Sequence, residues 1–360
     1  MPAPRQLMSQ LPNVQAVLSR SANDIIFDAL GPSSARGVST ASGLESMGAE
    51  EAAPSEVDVA LEDSAAHSRA VIVAAGQRAV DRLQTEGPEA PLTSDEQFGL
   101  EAIVMLEGRP AIFIQEGKFF PPPPGWQQLE PARAAIEATI RSVGRVEVTG
   151  HPSYEWIGTG FLVANDVLMT NRHVAELFCQ MGARRKWAFK QGMAGRVDYK
   201  EELSSVTPAE FAITDVIGVH ETLDMALFRV AHSGGPAPTP LPVTSVNLGV
   251  APGRQVYTIG FPAWDGRRND PEAMQRIFSN IFNIKRLQPG QVMSVQEAGS
   301  RFMHDCSTLG GNSGSCVVDL ESHRVIGLHF GGRYLEGNHA VALWTLTGDP
   351  LIKKAKINYV

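Results

Sequence analysis

From Val143 onward the chain breaks into short apolar runs divided by Gly, Pro, Asn and Asp. The runs that read as strands are Arg145–Val148, Gly158–Val163, Val167–Thr170, Ala226–Val230, Gln255–Gly260, Gln291–Val295, Cys316–Asp319, Val325–Phe330 and Ala340–Trp344. Many short strands with turn signals between them predict a β-sandwich or barrel. Just upstream, Leu129, Ala132, Ile136 and Ile140 recur at helical spacing, which predicts a helix over 129–140. Pro121 to Gly125 breaks regular structure and reads as a stiff linker. Before it, the apolar runs Leu100–Leu106 and Ala111–Gln115 flank the turn residues Glu107–Pro110, a hairpin pattern.

The first 90 residues have another texture, rich in Ala, Ser and Glu without strand-like alternation. Short helices fit Arg5–Leu18 and Asn23–Leu30, and Gly31–Ser55 reads as loop or disorder. Val57–Leu83 fits a helix with Val57, Leu61, Val71, Val73 and Val80 among its apolar positions. Such a helix either docks on a partner or on the rest of the chain, or belongs to an Ala-rich, partly ordered linker.

Composition narrows the class. A chain of 360 residues predicts two or three units. The divisions read as 1–90, helical or partly disordered; 91–139, a hairpin, Pro-rich linker and helix; and 140–350, the strand-rich unit. A hydrophobic content of 43% with 19% charged residues describes a soluble protein able to bury a core. The net charge of −8 argues against a nucleic-acid partner. Three cysteines, Cys179, Cys306 and Cys316, cannot all pair with one another, and a sparse odd set suits a reducing compartment. Each reads as a small buried hydrophobe rather than a reactive thiol. No spacing suggests zinc, and neither metal nor cofactor is expected. Met1–Leu30 lacks the apolar core of a signal peptide, and no stretch is long enough to span a bilayer. The expectation is a cytoplasmic protein without membrane contact.

The chemistry gathers in three stretches. Ser307-Thr308-Leu309-Gly310-Gly311-Asn312-Ser313-Gly314-Ser315 presents a serine between glycines ahead of the apolar pair Val317-Val318. A serine hydroxyl is a weak nucleophile and needs a base, a group that orients the base, and donors for an oxyanion. Gly158–Val163 running into Leu168-Met169-Thr170-Asn171-Arg172-His173-Val174 offers the base. Leu223-Asp224-Met225-Ala226-Leu227-Phe228 offers a carboxylate at the mouth of an apolar strand, a costly place unless it is paired.

These stretches, in this order, resemble the trypsin/chymotrypsin-like serine proteases, most closely their glutamyl endopeptidase branch, over about residues 140–350. The order His, Asp, Ser differs from that of α/β-hydrolases and subtilisin-like enzymes. The resemblance implies a mainly β, chymotrypsin-like fold: two packed antiparallel β-barrels, at about 140–235 and 241–350, preceded by a partly helical N-terminal segment. Gly234–Pro242 would join the barrels.

The implied activity is a serine endopeptidase working on protein or peptide substrates through an acyl-enzyme. His173 would be general base and then acid, Asp224 would orient it, and Ser313 would attack. The backbone N–H groups of Gly311 and Ser313 would form the oxyanion hole. Asn312 stands where activatable relatives carry the aspartate that pairs with a new N-terminal amine, so that switch is not expected. Gly327-Leu328-His329-Phe330-Gly331-Gly332 resembles the branch's primary-specificity strand. Thr308, His329, Gly331 and Gly332 would therefore bind substrate, with His329 and Thr308 favouring Glu or Asp before the cut; the alternative for His329 is a satisfied core histidine.

In that branch a free N-terminal amine also helps bind the acidic residue, yet here residues 1–139 precede the barrels. Either specificity is relaxed in the intact chain, or processing between Pro121 and Val148 matures it. The N-terminal segment could also regulate by contacting a partner or covering the cleft. Gly266–Gln288 reads as a surface loop near the cleft, where Arg267, Arg268, Lys285 and Arg286 either steer an acidic substrate or are merely solvated. The reading from another class is a catalytically silent, protease-shaped binding module.

Overall fold

The computed structural model describes residues 109–123, 125–182, 185–231, 238–264, 277–296, 299–333, 337–357 and 359–360, with scattered positions between 78 and 96. The chain divides into two units, Met1–Gly108 and Arg109–Val360. The expected helices Arg5–Leu18 and Asn23–Leu30, the loop Gly31–Ser55 and the strand Leu100–Leu106 lie outside the described residues. Of the expected helix Val57–Leu83, only Arg78, Asp81 and Arg82 are described, and all three are helical. Within this unit Arg82 pairs with Glu96 at 3.2 Å.

The strands of the second unit, in chain order, are β1 Ile112–Gln115, β2 Lys118–Phe119, β3 Val143–Thr149, β4 Trp156–Ala164, β5 Val167–Thr170, β6 Cys179–Met181, β7 Trp187–Phe189 and β8 Ala194–Asp198. They continue as β9 Glu210–Val219, β10 Ala226–Val230, β11 Gln255–Gly260, β12 Arg286–Val295, β13 Arg301–His304, β14 Cys316–Asp319, β15 Val325–Arg333 and β16 Gly337–Ala342. Among the described residues, the helices that accompany them include α1 Arg133–Ile140, α2 Arg172–Phe178 and α3 Pro350–Ala355. β3, β4, β5, β10, β9 and β8 close into one antiparallel barrel. β11, β14, β15, β16, β13 and β12 run in order, and the β11–β12 pairing closes them into a second. The fold is the mainly β, two-barrel architecture of chymotrypsin-like proteins.

One apolar cluster joins the barrels. It runs from Ile112, Ile114, Phe119, Trp126 and Leu129 through Ile136 and Ile140 to Val143 and Phe161 in the first barrel and Tyr257, Leu328 and Val341 in the second. The residues ahead of the barrels are therefore part of their core. β1 pairs with β2 through the Glu116-Gly117 turn, and on its other side with β12. The expected helix over 129–140 resolves into a 3₁₀ turn, Gln127–Leu129, and α1, which buries Ile136 and Ile140.

The surface loop expected over Gly266–Gln288 is corrected at its C-terminal end. Lys285 and Arg286 are fully buried. Lys285 Nζ donates to the carbonyls of Ile140 and Tyr199 at 3.0 and 2.6 Å, with the Glu202 carboxylate at 3.5 Å. Burial pulls this ammonium down to about 8, against the opposing pull of Glu202. Arg286 donates to the carbonyls of Ala111, Phe278 and Ile281, with its guanidinium 3.4 Å from the centroid of the Phe113 ring. These cations clamp backbone segments together and cannot steer a substrate. Arg267 and Arg268 lie outside the described residues.

All three cysteines are buried and unpaired. Burial pushes the thiols of Cys179 and Cys316 up to about 12 and raises Cys306 well above its ordinary value, so none is a ready thiolate. Among the described residues, no helix is long and apolar enough to cross a membrane.

Candidate active site

The register of the first barrel brings His173 and Asp224 to one end. Ala226 at the start of β10 pairs with Thr170 at the end of β5, so the chain leaves β5 toward His173 beside the point where it enters β10 from Asp224. A helix start leaves backbone N–H groups without intrahelical partners. Asn171, the residue before α2, makes no side-chain cap. Asp224 supplies the acceptor instead, taking the His173 N–H on Oδ1 at 3.0 Å. Its Oδ2 lies 2.7 Å from His173 Nδ1. Asn171 Nδ2 donates to the Asp224 carbonyl at 2.9 Å and fixes the aspartate from below. Burial alone would raise the Asp224 carboxyl, but the hydrogen bonds and charge of His173 outweigh it and hold the group below its usual range.

The turn carrying Asp224 is shaped by His220. Its Nδ1 accepts the N–H groups of Thr222 and Leu223 at 3.2 and 3.0 Å, which leaves Nε2 to donate to Asp349 at 3.1 Å. Asp349 in turn caps α3 by accepting from Leu351 and Ile352. The C-terminal helix thus helps to shape the Asp224 turn.

Ser313 sits in a loop stitched to both barrels. Its carbonyl accepts the Thr159 N–H at 2.8 Å, and Thr159 Oγ1 donates to the Gly311 carbonyl at 2.7 Å. The Gly310 carbonyl accepts from Ala263, and the Gly314 N–H donates to the His329 carbonyl. Gly314 has φ +94°, and a Cβ there would lie 1.9 Å from the Thr159 carbonyl oxygen, so the turn excludes any side chain. Gly158 packs against both halves of the site, since a Cβ on it would meet Val174, next to His173, at 2.9 Å and the Ser313 carbonyl at 3.0 Å. Among the described residues, no hydrogen bond uses the N–H of Gly311 or Ser313. Asn312 is buried against Gly260 and donates its amide to the Leu309 carbonyl.

Of the expected pocket residues, His329 is buried on β15, with Nδ1 3.2 Å from Nε2 of His304. Burial, followed by the neighbouring His173 and His339, lowers His329 to about 3, and burial lowers His304 as well, so both rings are neutral. One proton serves the two facing nitrogens. His304 Nδ1 has no partner. A buried N–H without an acceptor is rarer than an acceptor without a donor, which assigns the shared proton to His304 Nε2. His329 then carries its own proton on Nε2. Thr308 Oγ1 donates to Asn338 Oδ1 at 2.6 Å, and Asn338 Nδ2 donates to the Cys306 carbonyl at 2.6 Å. Asn338 pairs with Gly332 across β15 and β16, where a Cβ on Gly332 would strike its amide. The loop carrying Thr308 is therefore tied to the strand pair that carries His329. Gly331 lies at the register shift of β15, just after His329.

His304, Asn338, Asn171 as an anchor of Asp224, and the His220–Asp349 pair were not read from the sequence. The alternation of Phe302 and His304, both buried, marks β13 as a strand with His304 facing inward. That pattern is the signal by which His304 could have been found.

Two closed barrels, a His–Asp pair on one and a serine loop bridging both, define the architecture of a two-barrel serine peptidase. Residues 158–328 match the trypsin-like peptidase domain family. The protein is a serine endopeptidase. A probable serine protease of Lysobacter enzymogenes is 29% identical over 286 residues, 70% of this chain and 74% of that protein. A serine endoprotease of Yersinia pestis is 16% identical with a TM-score of 0.42, over 61% of this chain and 66% of that one. A Mycobacterium tuberculosis protease in its active form is 19% identical with a TM-score of 0.40, over 63% of this chain and 85% of that one.

Proposed function

We propose that the endopeptidase cleaves through a triad of His173, Asp224 and Ser313 and prefers Glu or Asp before the cut. The observation that carries the triad is the double contact of Asp224 with His173. A carboxylate on Nδ1 keeps that nitrogen protonated and leaves Nε2 free to take the Ser313 proton. Ser313 Oγ then attacks the scissile carbonyl, the oxyanion takes the unused N–H groups of Gly311 and Ser313, and imidazolium His173 protonates the departing amine. Water, deprotonated by the same imidazole, releases the acyl group.

The acidic preference rests on the His304–His329 contact. With the shared proton on His304, His329 offers an N–H to a substrate carboxylate without being charged beforehand. The anion then favours protonation of the pair. Thr308 and the glycines Gly331 and Gly332 complete this pocket in the proposal. The N-terminal segment regulates the enzyme through a partner or by covering the cleft, and the site of action is the cytoplasm.

A peptidyl phosphonate diester tests the triad, because it phosphonylates a serine only when a neighbouring base activates it. Mass mapping should find the adduct on Ser313 in the native protein and none in His173→Ala. An adduct on another serine, or an equal adduct in both proteins, would refute the assignment, and no adduct in either would favour a catalytically silent binding module.

A further inference from the structure

The stretch between β13 and the serine loop, residues 305–309, contains no strand or helix, yet it carries Thr308 and follows directly on His304. Side chains hold it in place. One tether is Asn338, described above. The other comes from far away in the chain. Arg109 Nη2 lies 2.9 Å from Asp305 Oδ2, with side-chain exposures of 18% and 3%. Ser307 Oγ donates to the Arg109 carbonyl at 2.6 Å. Asp305 Oδ1 accepts the Gln291 N–H at 2.6 Å, and the Asp305 N–H donates to the Gln291 carbonyl. One residue therefore grips both sides of Cys306, through its side chain at 305 and its backbone at 307.

We propose that Arg109 is a positioning residue for the substrate pocket: it braces the 304–308 wall so that Thr308 stays at the pocket and His304 stays behind His329, which faces the side chain before the cut. The inference builds on the pocket reading given above. The brace is long-range, 196 residues apart in sequence. Burial raises the Asp305 carboxyl, and Arg109 is the foremost of the groups opposing that rise. Without the guanidinium, a carboxylate sealed from water either takes up a proton or swings outward. Either outcome releases the coil that bears Thr308, while β13 and β14 keep their ladders.

The test uses the full chain and pairs of peptides that differ only by Glu or Gln before the cut. Four proteins are compared: native, Arg109→Ala, Arg109→Lys, and Arg254→Ala as a stability control. Arg254 makes a similar ion pair with the fully buried Asp319, at the far end of β14 from the serine loop. Arg109→Ala should lower the Glu-to-Gln ratio of kcat/KM about tenfold, mainly through KM. Arg109→Lys should restore part of it, because it keeps the charge but not the fork. Arg254→Ala should lower the melting temperature and leave the ratio unchanged.

If Arg109→Ala lowers only the melting temperature, as Arg254→Ala does, the brace is structural and the proposal is overturned. If the native enzyme shows no preference for Glu, the acidic-pocket reading fails by itself. The brace is then judged on the ratio between the side chains the enzyme does favour and reject, which must still fall in Arg109→Ala. Should Arg109→Ala fail to fold, Asp305→Asn, which keeps an acceptor for Gln291, must show the same loss of selectivity for the proposal to stand.

Discussion

Asp224→Asn is expected to lower kcat by about 10⁴-fold with little change in KM. The Asp224 carboxylate accepts the His173 N–H and faces Nδ1, so it both starts α2 and fixes the imidazole tautomer. Asparagine keeps an acceptor for the helix start, so the fold should survive. Its amide can equally present N–H to Nδ1, which moves the ring proton to Nε2 and removes the base that the proposed triad requires for Ser313. Ala in place of Asp224 would confuse this chemistry with loss of the helix cap. Steady-state kinetics on one peptide substrate, with thermal melting as the fold control, decides the matter. A loss below tenfold in a folded protein would remove Asp224 from the mechanism.

Deleting residues 1–135 should abolish folding, whereas deleting 1–108 should leave a cooperative, active protease. The longer deletion removes Ile112, Ile114, Phe119, Trp126 and Leu129, all buried in the cluster that joins the barrels. Each such side chain contributes about 1.5–3 kcal/mol on burial. Five of them amount to roughly 10 kcal/mol, comparable with the whole stability of a typical domain, about 5–15 kcal/mol. The same deletion leaves Arg286 without Phe113 and the Ala111 carbonyl, and Asp305 without Arg109. Thermal melting of both truncations reads this directly; a 136–360 fragment that melts like the full chain would contradict it. The 109–360 fragment also reports on regulation, since activity above that of the full chain means the first unit restrains the enzyme. Unchanged activity argues against such restraint.

The strands that carry the site were legible because apolar alternation and turn residues bound them: Val167–Thr170, Ala226–Val230, Gln255–Gly260 and Cys316–Asp319 have the expected ends. β8 and β9 were not, because Arg196, Asp198, Glu210 and Asp215 interrupt the apolar pattern with charges that the barrel either pairs or leaves at its surface. Lys285 and Arg286 read as surface-loop residues, steering a substrate or merely solvated, for a similar reason. A basic residue is ordinarily exposed, and nothing local shows that distant carbonyls wait to receive it. His173, Asp224 and Ser313 were each marked by short-range context. Their neighbours were not, because Asn338 at Thr308, His304 at His329 and Arg109 at Asp305 are contacts between strands or across most of the chain.

The most direct test of the account is a mass-spectrometric digest of a diverse peptide library by the native protein and Ser313→Ala side by side. The account predicts cuts after Glu or Asp that vanish in the variant. Cuts that persist in Ser313→Ala would contradict the mechanism, and serine-dependent cuts after other residues would contradict the pocket while leaving the triad in place.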